Sequence, residues 1–503
     1  MFKLKSFINN TYISFFCSQL IIISFLLIFY LDNLDEISVN ELARSIFELI
    51  ILTFFLYLII GIAKEKITLF IPFGVVLILQ YWNIYELFPR SFSKELLLAV
   101  VFIIWLLIIS ALWQKDIDEL KNINMVFAFV IILGNTYDIS SKFKNFYNLN
   151  KINPTFIEKS YEVIEVDIKH KNELPNIIYI VPDRYLGLNQ LRDYYNFDNT
   201  SFYNELRKRN FIAPSKSRSN YPFTYASLLS TLNNSYLINN YDNLPQGASY
   251  FQIKESHAFK KIKSMGYKFV NFDNWWKGTQ NITIADFNYY RNSAYLSSTT
   301  YDFIYFRTPI FAISDRIFPS RSKRFSCSEV KNKFNDLTSI ASSKDSGLFI
   351  FAHFLVPHEP YLINADGGCN SSSFGGVPEN TKQNYIGYLE YTNNKLLQIF
   401  DEISLNNDNF IFVIQSDEGQ YPECFEEFHS CNLNDWDLKT GTINAFYYSK
   451  EHALNEKDFT TPINNFSYIF DVIENKSSIK ENHKIFIPKN KLNDFDFKEI
   501  KID

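Results

Sequence analysis

Three segments of this chain place reactive side chains directly behind runs of apolar residues. NIIYIVP is followed by Asp183, LFIFAHFLV by Pro357-His358-Glu359-Pro360-Tyr361, and FIFVIQ by Ser416-Asp417-Glu418-Gly419. Apolar runs without alternation, rich in β-branched and aromatic residues, predict strands buried on both faces of a parallel sheet. Parallel strands bring their carboxyl ends to one edge, where open α/β sheets bind ligands, so the three segments predict one site. Any one of them alone reads equally well as a turn or a cap. Together they make Asp183, Asp417 and Glu418 candidate ligands of a single divalent metal ion.

A hydroxyl nucleophile belongs near that edge, and Asn220-Tyr221-Pro222-Phe223-Thr224-Tyr225-Ala226-Ser227 supplies one. Pro222 opens the helical pattern YASLLSTLN, which sets Thr224 at or beside a helix amino terminus. The exposed N–H groups and the dipole there favour an anionic oxygen and a bound phosphate or sulfate. A metal shared by Asp183, Asp417 and Glu418 would lower the hydroxyl's pKa further and polarise a substrate ester. Threonine is also a common N-cap, and Ser227, one turn on, is the second candidate. His353 lies inside the strand-like run and reads as a packed, hydrogen-bonded histidine rather than a ligand. His429 fits either a surface position or a second anion contact. Trp275 and Trp276 follow YKFVNF at the same edge and fit either a sugar or lipid-headgroup pocket or ordinary packing.

These residues are positioned by the second part of a chain whose first part reads as membrane. Among 503 residues, 47% hydrophobic and 17% aromatic is rich for a purely soluble protein, and the apolar residues concentrate at the front. Runs at 13–31, 46–63, 67–82, 96–113 and 123–139 predict about five spanning helices, the last weakened by Asn135 and Thr136. With five alternating spans, Lys3, Lys5, Lys64, Lys66, Lys115 and Lys121 share one side, which the positive-inside rule makes cytoplasmic. Arg90 and Lys94 in an outer loop dilute that asymmetry. The odd count places the rest of the chain outside the cytoplasm, where Cys327, Cys369, Cys424 and Cys431 suit two disulfides. Cys424 and Cys431 are the expected pair, because their short separation makes closure cheap. A net charge of −5 gives no case for nucleic-acid binding. The predicted organisation is a transmembrane domain at 1–139, a polar linker at 140–174 and a soluble domain at 175–503. Strands at 176–181, 267–272, 348–355, 410–415 and 444–448 alternate with helical patterns at 189–209, 251–265 and 381–403. That alternation means an α/β domain whose mostly parallel sheet is sandwiched by helices.

The order of these motifs, from strand-Asp183 through NYPxTxxS, FAHFxxPHxPY and YxxYxxYTNNKLLxIxDxI to IxxQSDEG, resembles the sulfatase-like branch of the alkaline phosphatase superfamily over most of 176–448. With membrane helices in front, the layout is similar to bacterial phosphoethanolamine transferases and lipoteichoic acid synthases. The resemblance implies that Asp183 binds the metal, that Thr224 is nucleophile and ligand, that His358 contacts substrate, and that Asp417 with Glu418 completes the metal site. Tyr361, Trp275 and His429 join His358 as candidate substrate contacts. Two departures stand out. The family's Asp-His-Gly is Asp417-Glu418-Gly419 here, so the site becomes all oxygen, favours Mn²⁺, Mg²⁺ or Ca²⁺ over Zn²⁺, and is more negative toward a phosphate. The Cys/Ser-x-Pro-x-Arg signature of true sulfatases is missing, which weighs against sulfate-ester hydrolysis. The expected function is therefore metal-dependent transfer of a phosphoethanolamine- or phosphoglycerol-type substituent, from a phospholipid to a cell-envelope glycan or lipid, through a covalent threonine. Hydrolysis of a sulfate or phosphate ester and an inactive scaffold that binds an envelope polymer are the alternatives. The expected place is the inner (cytoplasmic) membrane, multi-pass, with the catalytic domain extracytoplasmic.

Overall fold

The computed structural model describes residues 2–32, 39–63, 65–85, 94–151, 174–239, 246–274, 276–289, 300, 304, 308–309, 327–343, 345–370, 381–424, 430–450, 455–489 and 496–502. Two compact units form. One comprises Met1–Thr155 with Asn292–Arg321, and the other Phe156–Arg291 with Ser322–Asp503.

In the first unit, Tyr12–Leu31, Leu42–Ile60 and Ile117–Ser141 are helical, long enough and apolar enough to cross a membrane. Lys66–Leu79 and Leu96–Leu112 are shorter apolar helices. Side chains such as Phe47, Phe54, Phe55 and Ile59 are exposed on the second helix, a surface suited to lipid. Polar side chains tie the helices to one another instead of facing outward. The Tyr57 hydroxyl donates to Ser14 O at 2.9 Å and meets Ser18 Oγ at 2.7 Å, while Asn135 Nδ2 donates to Ser24 Oγ at 2.7 Å. Interhelical hydrogen bonds of this kind hold bundles together where lipid supplies no hydrophobic contrast. The last helix runs Ile117–Lys151, into the stretch that reads as linker from 140 onward. Nothing between Ser140 and Lys151 breaks a helix once it has started; the first proline is Pro154. The remaining linker residues, 152–173, lie outside the described set.

In the second unit, the run at the start of the soluble domain forms β1 (Asn176–Pro182), buried along its length. The other strands are β2 (Lys268–Phe272), β3 (Phe287–Asn288), β4 (Leu348–Phe354), β5 (Phe410–Gln415), β6 (Asn444–Tyr448), β7 (Ile485–Pro488) and β8 (Phe497–Ile500). They form a six-stranded sheet of order β3-β2-β4-β1-β5-β6 and a separate β7-β8 pair. Only β6 is antiparallel in the large sheet. Alternate residues of β1 enter different cores: Ile177, Tyr179 and Val181 pack on one face, Ile178 and Ile180 on the other. Both faces are thus covered, which is why the strand is apolar throughout. The helical pattern at 189–209 is two helices, Leu188–Tyr195 and Thr200–Lys208, divided at Asn196, whose φ of 51° suits asparagine as a left-handed terminator. The pattern at 251–265 likewise divides, into Gln246–Lys254 and His257–Ser264, while Thr381–Asn406 is continuous.

Candidate active site

The register of the central strands assembles the site. Val181 pairs with His353 and Pro182 with Phe354, so β1 and β4 end level. The ladder goes one step further, because the Asp183 N–H donates to Phe354 O at 2.9 Å. On the other side, Ile180 pairs with Ile414, and Asp417 follows two residues beyond the end of β5. Three adjacent strands therefore set Asp183, His353 and Asp417 at one edge.

Each of these residues has a buried polar atom without a hydrogen-bond partner: Asp183 Oδ1, His353 Nε2 and Asp417 Oδ2. Their ligand atoms lie within 4.8 Å of one another, and His353 Nε2 is 3.8 Å from Asp183 Oδ2. Orphaned buried polar atoms are costly, and three residues that each carry one, clustered this closely, fit a cation. The electrostatics agree. Burial, then the neighbouring Asp417 carboxylate, pushes Asp183 well above the usual range. Burial also raises Asp417, against which the Thr224 side chain and the Arg184 N–H stabilise its charged form. Two buried carboxylates, both raised by burial, are relieved by a divalent ion. His353 is held neutral, its pKa down at about 3 through burial, and its Nδ1 meets Thr279 Oγ1 at 2.9 Å. A neutral ring anchored through one nitrogen presents the other as a ligand.

His353, expected to be packed and hydrogen-bonded, is both, and it also falls in the cluster with Asp183 and Asp417. The packing is real, with Trp276 edge-on at 5.4 Å, but Nε2 faces Asp183. The available signal was position: His353 sits at the carboxyl end of a strand beside the Asp183 strand.

Glu418 does not join this cluster. Its carboxylate meets Arg184 Nε at 3.3 Å and Lys439 Nζ at 2.9 Å, with all three side chains buried. Gly419 makes this possible: its N–H donates to Lys439 O at 2.7 Å, and a Cβ there would fall 2.1 Å from Leu438 O. The loop can approach the helix Leu433–Thr440 only without a side chain. Arg184 adopts φ 58°, which turns its N–H toward Asp417 Oδ1 at 3.2 Å and its guanidinium toward Glu418. The clustered candidate donors are two carboxylates and an imidazole, whereas the expected preference for Mn²⁺, Mg²⁺ or Ca²⁺ over Zn²⁺ rests on an all-oxygen set.

Thr224 begins the helix Thr224–Asn233, half-buried beside Asp417. The segment before it is fixed from both sides. Asn220 Nδ2 donates to Lys484 O at 2.8 Å, Tyr221 stacks on Phe486 at 5.3 Å, and Arg218 pairs with Asp437 at 2.7 Å. Ser227 is 1% exposed, which leaves Thr224 as the more accessible hydroxyl. His358 is half-buried; burial, then the Arg184 guanidinium, holds its pKa well below the ordinary value. Tyr361 packs edge-on to Tyr385 at 5.9 Å. Trp275 and His429 lie outside the described residues.

Both disulfides form, Cys327–Cys369 and Cys424–Cys431, with Cα atoms 5.7 Å and 5.3 Å apart. The second carries the pair expected from spacing.

No family model matches the chain, and no curated protein matches it in sequence. Among solved structures it is similar to the C-terminal periplasmic domain of EcEptC from Escherichia coli in complex with Zn, at 15% identity and TM-score 0.43, covering 64% of this chain and 93% of that one. It is similar to the integral membrane protein lipooligosaccharide phosphoethanolamine transferase A from Neisseria meningitidis, at 11% identity and TM-score 0.41, covering 92% and 95% respectively. A protein in the alkaline phosphatase superfamily from Vibrio parahaemolyticus is similar at 11% identity and TM-score 0.36, covering 66% and 84%. These are of the kinds that the motif order resembles.

Proposed function

We propose that this chain is a multi-pass membrane enzyme that transfers a phospho-substituent from a phospholipid headgroup to a cell-envelope glycan or lipid, through a covalent intermediate on Thr224. The observation that carries the reading is the buried cluster of Asp183, His353 and Asp417, each with a side-chain polar atom that lacks a hydrogen-bond partner, beside a threonine at a helix amino terminus. Bound by these three donors, a divalent cation would neutralise the carboxylates and polarise a substrate oxygen. The Thr224 oxygen forms a bond to phosphorus as the bond from phosphorus to the lipid oxygen breaks, and the proton lost by the hydroxyl ends on the departing lipid oxygen, which leaves as the alcohol. The acceptor's hydroxyl then attacks the phosphothreonine and restores the free side chain. The amino-terminal end of the helix Thr224–Asn233, with its dipole, stabilises the charge that builds on the phosphoryl oxygens. His358 contacts the substituent from the loop behind β4.

The proposed topology has about five spans, with the second unit extracytoplasmic. The lysine asymmetry and two disulfides support it, since disulfides persist in oxidising compartments. Two measurements test the proposal on full-length protein in its native membrane. Mass spectrometry after incubation with phospholipid vesicles should find a modified Thr224, and Thr224→Ala should abolish transfer while keeping the metal. Transfer that survives Thr224→Ala would move the nucleophile to Ser227 or water. A wild-type protein that binds no divalent ion would favour the scaffold instead.

A further inference from the structure

Glu418 is gripped by two cations, and both cations are covered by one ring. Arg184 lies 4.0 Å and Lys439 3.6 Å from the centre of Tyr421, while the Arg184, Glu418 and Lys439 side chains are 8%, 2% and 0% exposed. Lys439 Nζ also donates to Gly419 O at 3.2 Å, which fixes it to the same loop that carries Asp417. Charges so buried act at close range and are poorly screened. Both reach the site: they influence Asp183 as well as His358, the residue expected to contact substrate. Formal charges decide what this means for an anion. Asp183, Asp417 and Glu418 with a divalent ion sum to −3 + 2 = −1, which repels a phosphate. Adding the buried Arg184 and Lys439 gives −1 + 2 = +1, which attracts it; Glu359, 3.6 Å from Arg184, is 60% exposed and screened by solvent.

We infer that the buried Arg184–Glu418–Lys439 cluster is a fixed counter-cation that allows a one-metal centre to receive a tetrahedral oxyanion, with Glu418 as the post that holds both cations rather than a metal ligand. This rests on the reading of Asp183, His353 and Asp417 as a metal centre. The cluster answers the negative charge that Glu418 adds beside Asp417, because its two cationic neighbours outweigh it.

The cluster predicts opposite signs for two substitutions, which simple damage to the fold would not produce. The probes are Mn²⁺, followed by electron paramagnetic resonance, and inorganic phosphate or sulfate titrated calorimetrically into the full chain in detergent with saturating Mn²⁺. Lys439→Met should weaken both anions about tenfold while Mn²⁺ binding holds or tightens, the scale of one unit charge acting through a protein-like dielectric. Glu418→Gln should hold or tighten the anions and weaken Mn²⁺ by no more than about tenfold. The double variant, which restores the net charge, should return to within about threefold of wild type for both probes, as should Lys439→Arg. Loss of Mn²⁺ and of the anions together in Glu418→Gln would make Glu418 a ligand and overturn the inference. Equal weakening of anion binding in both single variants, without recovery in the double, would reduce the cluster to a structural prop. If wild type binds no Mn²⁺ while phosphate affinity still follows the charge pattern, the counter-cation stands and the metal centre falls. A preference between phosphate and sulfate identifies which ester class the site is built for.

Discussion

Replacing His353 with leucine separates a metal ligand from a packed histidine. In the metal-free protein the exchange costs little. It loses the hydrogen bond to Thr279 Oγ1, worth about 1 kcal/mol, and removes an orphaned Nε2 whose burial costs about as much. The ring contact with Trp276 is exchanged for aliphatic packing of similar volume. Metal-free stability should therefore change by less than about 1.5 kcal/mol. The metal-dependent part should behave differently. At a concentration near 100 Kd, a divalent ion stabilises the wild type by about 2.7 kcal/mol. Losing one of three protein donors should raise Kd by at least about 100-fold, because even outer-shell partners are worth 10- to 100-fold. At the same ion concentration the variant then keeps only about 0.4 kcal/mol, from RT ln 2. Denaturant midpoints of wild type and His353→Leu, each with and without Mn²⁺ or Zn²⁺, measure both quantities. A variant that keeps the full metal-dependent increment would refute the ligand role of His353 and return the third position to Glu418 or Thr224.

Gly419→Ala sets a Cβ 2.1 Å from Leu438 O and should cost at least about 2 kcal/mol of stability while displacing Asp417, read as a lowered midpoint with weakened metal binding. Removing Cys327–Cys369, at a sequence separation of 42, should cost about 4 kcal/mol and removing Cys424–Cys431, at 7, about 2.5 kcal/mol by loop entropy; cysteine-to-serine pairs in thermal melts give the order. Burial holds the His257 imidazole down at about 4 against an ordinary 6.5, so the unfolded chain binds more protons between those values. The stability this group contributes is complete above about pH 6.5 and is lost as pH falls toward 4, and His257→Gln should flatten that part of the pH–stability curve.

The parts of the site that were legible in the sequence were those announced by a strand. Asp183 and Asp417 follow apolar runs, and a parallel sheet leaves such residues one edge to occupy. His353 lies within its run, where a continuously apolar surround suggests packing; register with Val181, a property of pairing rather than of composition, brings it level with the edge. Glu418 was misleading for the opposite reason. It stands beside a ligand in sequence, but its partners Arg184 and Lys439 come from two distant segments. Divisions inside the helices at 189–209 and 251–265 were obscured by apolar spacing that continues across each break, while local residues such as Asn196 and Ser256 interrupt the backbone.

The position of β1 at the middle of the sheet has a consequence in time. This strand is made first, yet its neighbours are β4 and β5, and 233 residues separate Arg184 from Asp417. At roughly 5–20 residues per second, synthesis leaves the central strand without either neighbour for on the order of tens of seconds. During that interval an apolar segment with both faces and both edges open stands in the nascent chain, a condition that favours aggregation and slow assembly. No pairing within the first half of the soluble unit can relieve it. The central strand therefore completes its pairing only when β5 arrives and delivers Asp417.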